Sequence, residues 1–363
     1  MFHDFSRRKF LHLLGLSAAA LATNSYCSAQ QNKKRGLGIA LVGLGSYSGG
    51  QLAPALQETK HCYLAGIVTG TPSKEKIWSN RYDIPAKNIY NYQNFDSIKD
   101  NPDIDIVYVV LPIAMHKEFT IRAAQAGKHV ICEKPMAMNA AECDEMIAAC
   151  KKADRMLSIG YRLHFEPYNQ EMMRLGQKKI YGNVLEIDCA NGFTYGGDPN
   201  AWRLKKSLAG GGGLMDMGVY AIQGARYVTG EEPVFVTARE EKTRPDFFRE
   251  VDETIYFELE FPSGCIARGE SSYNKNLNHL KVKAAKGNFE LSRAYRYGGM
   301  EGKTPEGPMP FPQINQQAAQ MDDFALCITQ KRSTRVPGEE GKKDMKVIDA
   351  IYRSIASGKK ERI

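Results

Sequence analysis

Three side chains in two separate segments have the chemistry to move a proton. Lys134 follows Glu133 and precedes Pro135, whereas Asp216 and Tyr220 come directly after four glycines at positions 210–213. In a helix, Asp216 and Tyr220 are i and i+4 and share one face. A lysine at the end of a buried strand is costly unless a negative group meets it. We therefore expect an ammonium, a carboxylate and a phenol around one small site, suited to acid–base chemistry.

Each of these residues also has a purely structural interpretation. Lys134 could be a structural lysine paired with Asp216, Asp216 could cap a helix, and Tyr220 could be a buried tyrosine with a satisfied hydroxyl. The joint occurrence of the three with a nucleotide-binding pattern elsewhere in the chain favours the chemical interpretation.

That pattern is a glycine turn, Gly43-Leu44-Gly45-Ser46-Tyr47-Ser48, between a strand-like run and a helix-like run. It is the dinucleotide fingerprint with its third glycine replaced by serine. The first glycine allows the tight turn, and the second lets the backbone approach a pyrophosphate at the helix N-terminus. A tight turn without a ligand is the alternative.

The segment after the second expected strand distinguishes the two nicotinamide dinucleotides. NAD sites carry an acidic residue about 20 positions beyond the glycines, where it binds the ribose 2′-hydroxyl. Here Tyr63–Val68 is followed by Thr69, Gly70 and Lys74, with no acidic residue before Glu75. Hydroxyls and an ammonium suit a 2′-phosphate, so the sequence favours NADP over NAD.

The elements that must position these groups fall into two patterns. Residues 36–158 alternate apolar β-branched runs with helical periods, which indicates a parallel sheet covered on both faces. From residue 159 to 335, strand-like runs follow one another. The predicted fold class is α/β, with an N-terminal Rossmann dinucleotide-binding domain and a C-terminal α+β domain on a largely antiparallel sheet.

Three expectations concern element boundaries. We expect a helix over Gly50–Gln57, a proline-rich loop over Gly302–Pro312, and a last helix over Lys342–Ser357. The last helix lies within a segment, 336–363, that we expect to pack back on the first domain.

Composition excludes several classes of protein. The 363 residues carry 49 basic and 41 acidic side chains, a formal charge of +8, and 43% hydrophobic residues, as in a soluble globular protein. No basic stripe with interleaved aromatic residues indicates a nucleic-acid partner. No Cys-x-x-Cys pair or His/Cys cluster indicates a metal site.

The first 29 residues have the features of an export signal. Arg7 and Arg8 precede a short apolar run, Leu11–Ala22, which is too short to cross a bilayer of about 30 Å. Paired arginines before such a run, followed by small residues before Gln30, predict a twin-arginine signal peptide. The sequence therefore predicts a periplasmic protein, with no membrane association after signal removal.

Several segments resemble one family of oxidoreductases. The motifs are CEKPMA (132–137), IGYRLHFEP (159–167), WRL (202–204), AGGGGLMDMGVY (209–220), TGEEP (229–233) and VPGEEG (336–341). They resemble the Gfo/Idh/MocA family, and within it the glucose–fructose oxidoreductase branch. In this chain Tyr220 stands where many members of the family have a histidine, and that branch also has a tyrosine there.

The resemblance implies a role for each matching position. Lys134 and Tyr220 would form the catalytic pair, and Asp216 would position sugar hydroxyls. The implied NADP contacts are Gly43, Leu44, Gly45, Ser46, Tyr47, Thr69, Gly70, Lys74, Tyr92, Leu111, His116, Glu133, Lys134, Arg162, Trp202 and Arg203.

The implied activity is oxidation of an aldose to its lactone, followed by hydride transfer to a second sugar, in a homo-oligomer. Two alternatives are an NADP-dependent sugar dehydrogenase or reductase with an exchangeable cofactor, and a redox-assisted glycosidase. The sequence does not identify the sugars or the direction of the reaction.

Overall fold

The structure, a computed structural model, describes residues 36–363. The predicted export signal lies outside the described residues. Within the described part, two sheets account for the strands, and no helix there is long and apolar enough to cross a membrane.

The first sheet is parallel and has the order β3-β2-β1-β4-β5-β6 over the described residues. Its strands are β1 (Leu37–Val42), β2 (Cys62–Val68), β3 (Ile89–Tyr90), β4 (Ile106–Val109), β5 (His129–Cys132) and β6 (Leu157–Ile159). This is the doubly wound order 3-2-1-4-5-6, in which ligands bind beyond the carboxyl ends of the strands where the order reverses, here between β1 and β4. The predicted N-terminal Rossmann fold is confirmed.

Helices connect these strands. They are α1 (Ala53–Ala55, continuing the helical turn Ser48–Leu52), α2 (Pro72–Tyr82), α3 (His116–Gln125) and α4 (Ala140–Lys152). Short 3₁₀ turns lie at Ala86–Asn88, Phe95–Asp100 and Ile113–Met115. The predicted start of the first helix at Gly50 is late, because the helical conformation begins directly after Gly45, at Ser46.

The second sheet has the order β14-β13-β12-β11-β7-β10-β9-β8-β15 in the part of the chain that is described. Its strands are β7 (Val184–Gly192), β8 (Phe235–Glu241), β9 (Thr254–Glu260), β10 (Ile266–Ser272), β11 (Leu277–Ala284), β12 (Gly287–Ser292), β13 (Glu301–Thr304), β14 (Gly307–Pro308) and β15 (Glu361–Arg362). The β7–β10 pair is parallel and the other neighbouring pairs are antiparallel. The predicted largely antiparallel sheet is confirmed.

The helices of the second half pack on both sheets. They are α5 (Pro167–Gln177), α6 (Lys206–Ala209), α7 (Val219–Thr229, continuing the wider turn Leu214–Gly218), α8 (Gln316–Thr329) and α9 (Gly338–Ser357). Met321 and Phe324 of α8 are buried in one cluster with Ile39 and Leu41 of β1. Helix α9 contacts α4 of the first half and β8 of the second.

Two further boundary predictions are wrong. The expected loop over 302–312 contains β13 and β14, which form the outer edge of the second sheet, where a proline such as Pro308 is tolerated. The last helix begins at Gly338 rather than at Lys342. A Cβ on Gly341 would lie 2.7 Å from Met136 Sδ, so this glycine permits close packing of α9 on the first half.

Candidate active site

The glycine turn after β1 has the geometry of a phosphate-binding loop. Gly43 has φ of 93°, and a Cβ there would lie 2.4 Å from the Val110 carbonyl oxygen. The buried Ser48 hydroxyl donates to the Gly43 carbonyl oxygen at 2.6 Å, so the serine at the third glycine position closes the turn. A Cβ on Gly45 would meet nothing within 4 Å. The open cleft beside Gly45 and the helix N-terminus that follows fit a dinucleotide pyrophosphate.

The carboxyl end of β2 contributes hydroxyls and an ammonium to the same cleft. Thr69, Thr71 and Lys74 line it, and Lys74 Nζ donates to the Leu44 carbonyl oxygen at 2.8 Å. This chemistry fits a 2′-phosphorylated cofactor, since no carboxylate occurs between Thr69 and Lys74.

Gly70 is required by packing. A Cβ on Gly70 would lie 2.6 Å from Cε2 of Tyr92, because the Tyr92 ring rests on this glycine. Tyr92 lines the cleft whereas Gly70 does not. The glycine therefore allows Tyr92 to close this side of the cleft.

At the far end of the cleft, His116 spans the loops that follow β4 and β5. Its two ring nitrogens lie 2.9 Å from the Leu111 carbonyl oxygen and 3.1 Å from the Pro135 carbonyl oxygen. Burial lowers the pKa of His116, against the opposing effect of the hydrogen bonds to these two carbonyl oxygens. The geometry gives this histidine a role in fixing the Lys134 loop.

Glu133 is held at the same end of the cleft. Its Oε1 accepts from the Tyr108 hydroxyl at 2.6 Å, and its Oε2 accepts from the Lys134 backbone N–H at 3.1 Å. Burial raises the pKa of Glu133, against the opposing effects of the Tyr108 hydroxyl and the Lys134 ammonium. Glu133 thus borders the cleft with a fixed orientation.

Lys134, Asp216 and Tyr220 come together as the sequence predicts. Lys134 Nζ donates to the Asp216 carbonyl oxygen at 2.7 Å and to Oδ1 at 3.3 Å, and it lies 4.6 Å from the centroid of the Tyr220 ring. Burial opposes the charge on Lys134, but Tyr220, Asp216 and Glu133 outweigh it and raise the pKa of Lys134. The lysine is therefore an ammonium held above the phenol ring.

Asp216 is an ionised group with a fixed orientation. Its Oδ2 accepts from the Tyr273 hydroxyl at 3.0 Å and lies 3.7 Å from Arg203 Nε. Burial alone would raise the pKa of Asp216, but Lys134, Arg203 and the Tyr273 hydroxyl together hold it below its usual range. A carboxylate oxygen has room for further donors, so hydroxyl groups of a ligand can still bind.

The glycine run before Asp216 is anchored by Asp252, which the sequence does not reveal. Its two carboxylate oxygens accept from the backbone N–H groups of Gly212 and Leu214, both at 2.7 Å. A Cβ on Gly212 would lie 2.0 Å from the Asp252 carbonyl oxygen, so the contact requires glycine. Asp252 precedes β9 and Tyr273 follows β10, without a local motif, and only the tertiary structure identifies them.

Arg162 lies beside Lys134, Asp216 and Tyr220 and does not line the cleft that contains the glycine turn. It is 2% exposed, and its guanidinium carbon lies 5.1 Å from the ring centroid of Tyr220 and 4.4 Å from that of Tyr297. Its Nη2 donates to the Tyr295 carbonyl oxygen at 2.5 Å and its Nη1 to that of Arg296 at 3.0 Å.

Two cavities meet at the cluster. The nucleotide cleft has a volume of about 560 Å³, and a second cavity of about 820 Å³ lies against the second sheet. The second cavity presents amides and aromatic rings, which suit a hydroxyl-rich molecule: Asn191, Asn276, Asn278, Phe193, Tyr195 and Tyr295. Among the described residues, both cavities are bordered by Lys134, Arg203, Asp216, Tyr220 and Tyr297.

The cleft therefore contains most of the residues that the sequence assigns to the cofactor. Gly70 and Arg162 are the two that do not line it. Those that do are Gly43, Leu44, Gly45, Ser46, Tyr47, Thr69, Lys74, Tyr92, Leu111, His116, Glu133, Lys134, Trp202 and Arg203.

Comparison with known proteins gives matches over nearly the whole described chain. A family model described as "Oxidoreductase family, NAD-binding Rossmann fold" matches residues 37–161, and one described as "GFO/IDH/MocA C-terminal domain" matches residues 169–291. The crystal structure of aldose-aldose oxidoreductase from Caulobacter crescentus complexed with glycerol has a TM-score of 0.88 and 46% identity, covering 91% of this chain and 100% of that chain.

Two further relatives extend the comparison. D-xylose 1-dehydrogenase [NADP(+)] of Haloarcula marismortui is 27% identical over 335 residues, which is 87% of this chain and 90% of that protein. A levoglucosan dehydrogenase in complex with NADH and levoglucosan has a TM-score of 0.78 at 22% identity over 91% of this chain and 100% of that chain, and shows a shared fold.

Proposed function

Because the chain belongs to the Gfo/Idh/MocA family of oxidoreductases, we propose that it oxidises an aldose to its lactone and passes the hydride to a second sugar. The general class of activity is that of an NADP-dependent oxidoreductase acting on CH–OH groups of sugars. The observation that carries the proposal is the position of Lys134, Asp216 and Tyr220 at the junction of the nucleotide cleft and the second cavity.

Oxidation of a sugar hydroxyl requires removal of a proton and a hydride from one CH–OH group. NADP, when bound, accepts the hydride and later returns it. Tyr220 takes the hydroxyl proton when the sugar is oxidised and gives a proton to the carbonyl oxygen of the second sugar when that sugar is reduced.

Lys134 makes the phenol competent for this exchange. Its ammonium donates to Asp216 and lies over the Tyr220 ring, so it stabilises negative charge on the phenol while leaving the hydroxyl available to the sugar. Asp216, ionised and held by Tyr273, accepts from sugar hydroxyls and orients the reacting carbon.

The transfer to a second sugar has support from one relative in particular. The 46% identical neighbour is an aldose-aldose oxidoreductase by name, and that name places a sugar on both sides of the reaction. Residues 1–29 have the pattern of a twin-arginine signal, which predicts export. A cofactor that stays bound between the two half-reactions suits an exported protein, because it does not have to be supplied again outside the cytoplasm. We accordingly expect the protein in the periplasm and as a homo-oligomer.

A dehydrogenase with an exchangeable cofactor is the second candidate. It is favoured by the similarity to D-xylose 1-dehydrogenase [NADP(+)], which covers 87% of this chain. That enzyme would release the reduced cofactor after each turnover, and the second sugar would then not be needed.

One experiment separates the two candidates. The protein is purified without added nucleotide and denatured, and NADP in the supernatant is quantified. About one NADP per chain, with steady turnover of an aldose and a second sugar in the absence of added cofactor, supports the proposal. Absence of NADP, with turnover only on added NADP, would favour the dehydrogenase, and release of a free sugar from a glycoside would indicate the redox-assisted glycosidase.

Cell fractionation and sedimentation velocity test the two remaining expectations. Recovery with the periplasmic fraction that depends on Arg7 and Arg8 supports export by the predicted route. A sedimenting species of one chain would contradict the homo-oligomer.

A further inference from the structure

Two tyrosines from distant parts of the chain meet in the lining of the nucleotide cleft. Tyr47 lies in the glycine segment 43–48 after β1, and Tyr297 lies in the connection between β12 and β13. Their ring centroids are 6.0 Å apart, with the ring planes inclined by 30°. Both rings border the nucleotide cleft. We call this contact the tyrosine bridge.

Arg162 packs against the Tyr297 ring of the bridge. The guanidinium carbon lies 4.4 Å from the Tyr297 ring centroid, and the same side chain binds the carbonyl oxygens of Tyr295 and Arg296. Gln316 Nε2 also donates to the Arg296 carbonyl oxygen, at 3.1 Å. The backbone before Tyr297 is therefore fixed, although 47% of Tyr297 remains exposed.

Tyr297 has no role in the reaction described above, yet its position is central. It is one of the residues that border both cavities, together with the catalytic cluster. Tyr47 is near the same groups, since Glu133, Arg162 and Tyr220 act electrostatically on its hydroxyl. A dinucleotide that extends from the glycine turn to Tyr220 must run past the bridge.

The bridge is also chemically stable across ordinary pH. The ordinary pKa of a tyrosine phenol is about 10, and burial, followed by the nearby Glu133, raises the pKa of Tyr47 further. Both phenols stay neutral, so no charge repulsion separates the rings.

We propose that Tyr47 and Tyr297 form a cofactor-retaining bridge, which binds across NADP in the cleft and slows its release. This inference rests on the proposed function, because a cofactor that serves two successive sugars must remain bound between them. The bridge couples the two halves of the chain, so that one ring alone does not retain the nucleotide.

The test measures the dissociation rate of NADPH from the full-length protein. The protein is loaded with NADPH, excess NADP⁺ is added in a stopped-flow instrument, and the fall in NADPH fluorescence gives the rate. An aromatic pair contributes about 0.5–1.5 kcal/mol, which corresponds to about 2- to 12-fold in a rate. We expect Tyr297→Ala and Tyr47→Ala each to release NADPH faster by about this factor.

Three further variants make the result specific. Tyr297→Phe keeps the ring, so its NADPH dissociation rate should lie within about 2-fold of the wild-type rate. The Tyr47→Ala/Tyr297→Ala double variant should release NADPH at about the rate of the faster single variant, because the same contact is lost in all three. Tyr256→Ala, which truncates a tyrosine that stacks on Arg239 in the second sheet, should release NADPH at the wild-type rate.

Unchanged release by Tyr297→Ala, or effects of the two single variants that multiply in the double variant, would overturn the bridge. Neither result would affect the proposed function, which instead fails if the wild-type protein does not bind NADPH or does not transfer hydride to a sugar.

Discussion

Replacement of Lys134 by methionine removes the charge above the catalytic phenol while keeping much of the side-chain volume. Lys134 Nζ lies 4.6 Å from the centroid of the Tyr220 ring, and opposite unit charges at about that separation attract by about 3.6 kcal/mol at an effective dielectric constant of about 20. Tyr220 must be a phenolate to take the aldose proton, so loss of that attraction makes the phenolate less stable, lowers the phenolate fraction and slows aldose oxidation by about two to three decades. Lys134→Met should therefore cut the rate to between about 1/100 and 1/1000 of wild type.

The assay is single-turnover reduction of bound NADP⁺ at saturating aldose, followed at 340 nm. Single turnover isolates the chemical step from product release. Lys128→Met is the matched control, because Lys128 is also buried and donates to a carbonyl oxygen, that of Asn101, at 2.9 Å, in the turn that leads into β5. A loss of less than about 3-fold in Lys134→Met would show that the ammonium does not act on the phenol.

Three further predictions follow from the geometry of the site. Lys74→Ala should weaken NADP binding by about 10- to 100-fold, which corresponds to the loss of one charge-assisted hydrogen bond. Titration calorimetry should show that the affinity for NAD changes by less than about 3-fold. Equal losses of affinity for NADP and NAD would contradict the 2′-phosphate contact. Gly43→Ala, at φ of 93° and 2.4 Å from the Val110 carbonyl oxygen, should lower the melting temperature and abolish NADP binding, whereas wild-type binding would refute the turn geometry. The pKa of Asp216 is lowered in the folded protein, so the carboxylate stabilises the fold above its unfolded-state pKa of about 3.9, and this contribution is lost as pH falls through the lower folded pKa. In urea unfolding, the stability of the wild-type protein should therefore fall more steeply below about pH 4 than the stability of the Asp216→Asn variant. Parallel pH dependences of the two proteins would contradict the assignment.

Local patterns predicted the first sheet well because each signal is short-range. The strand expected at Tyr63–Val68 is observed at Cys62–Val68, because a continuous apolar run between polar segments determines both ends to within one residue. Gly43 follows the same logic, because its left-handed φ is required by the turn itself. The cluster of Lys134 with Asp216 and Tyr220 was also predictable. The end of a strand determines the position of Lys134, and the i, i+4 spacing places Asp216 and Tyr220 on one helix face.

The rest depends on tertiary contacts that no local pattern contains. Asp252 and Tyr273 reach the cluster from other parts of the second half, and Tyr297 reaches Tyr47 from the β12–β13 connection. The start of α9 was misplaced for a related reason. Gly341 reads as a helix breaker in isolation, but in the fold it lets the helix approach Met136.

Tyr220→Phe tests the central claim most directly, because it removes one hydroxyl and leaves the ring beneath Lys134. We predict that single-turnover hydride transfer from aldose to bound NADP⁺ falls by about two to four decades, while the sugar concentration at half-saturation changes by less than about 3-fold. A Tyr220→Phe protein that transfers hydride at the wild-type rate would contradict the claim.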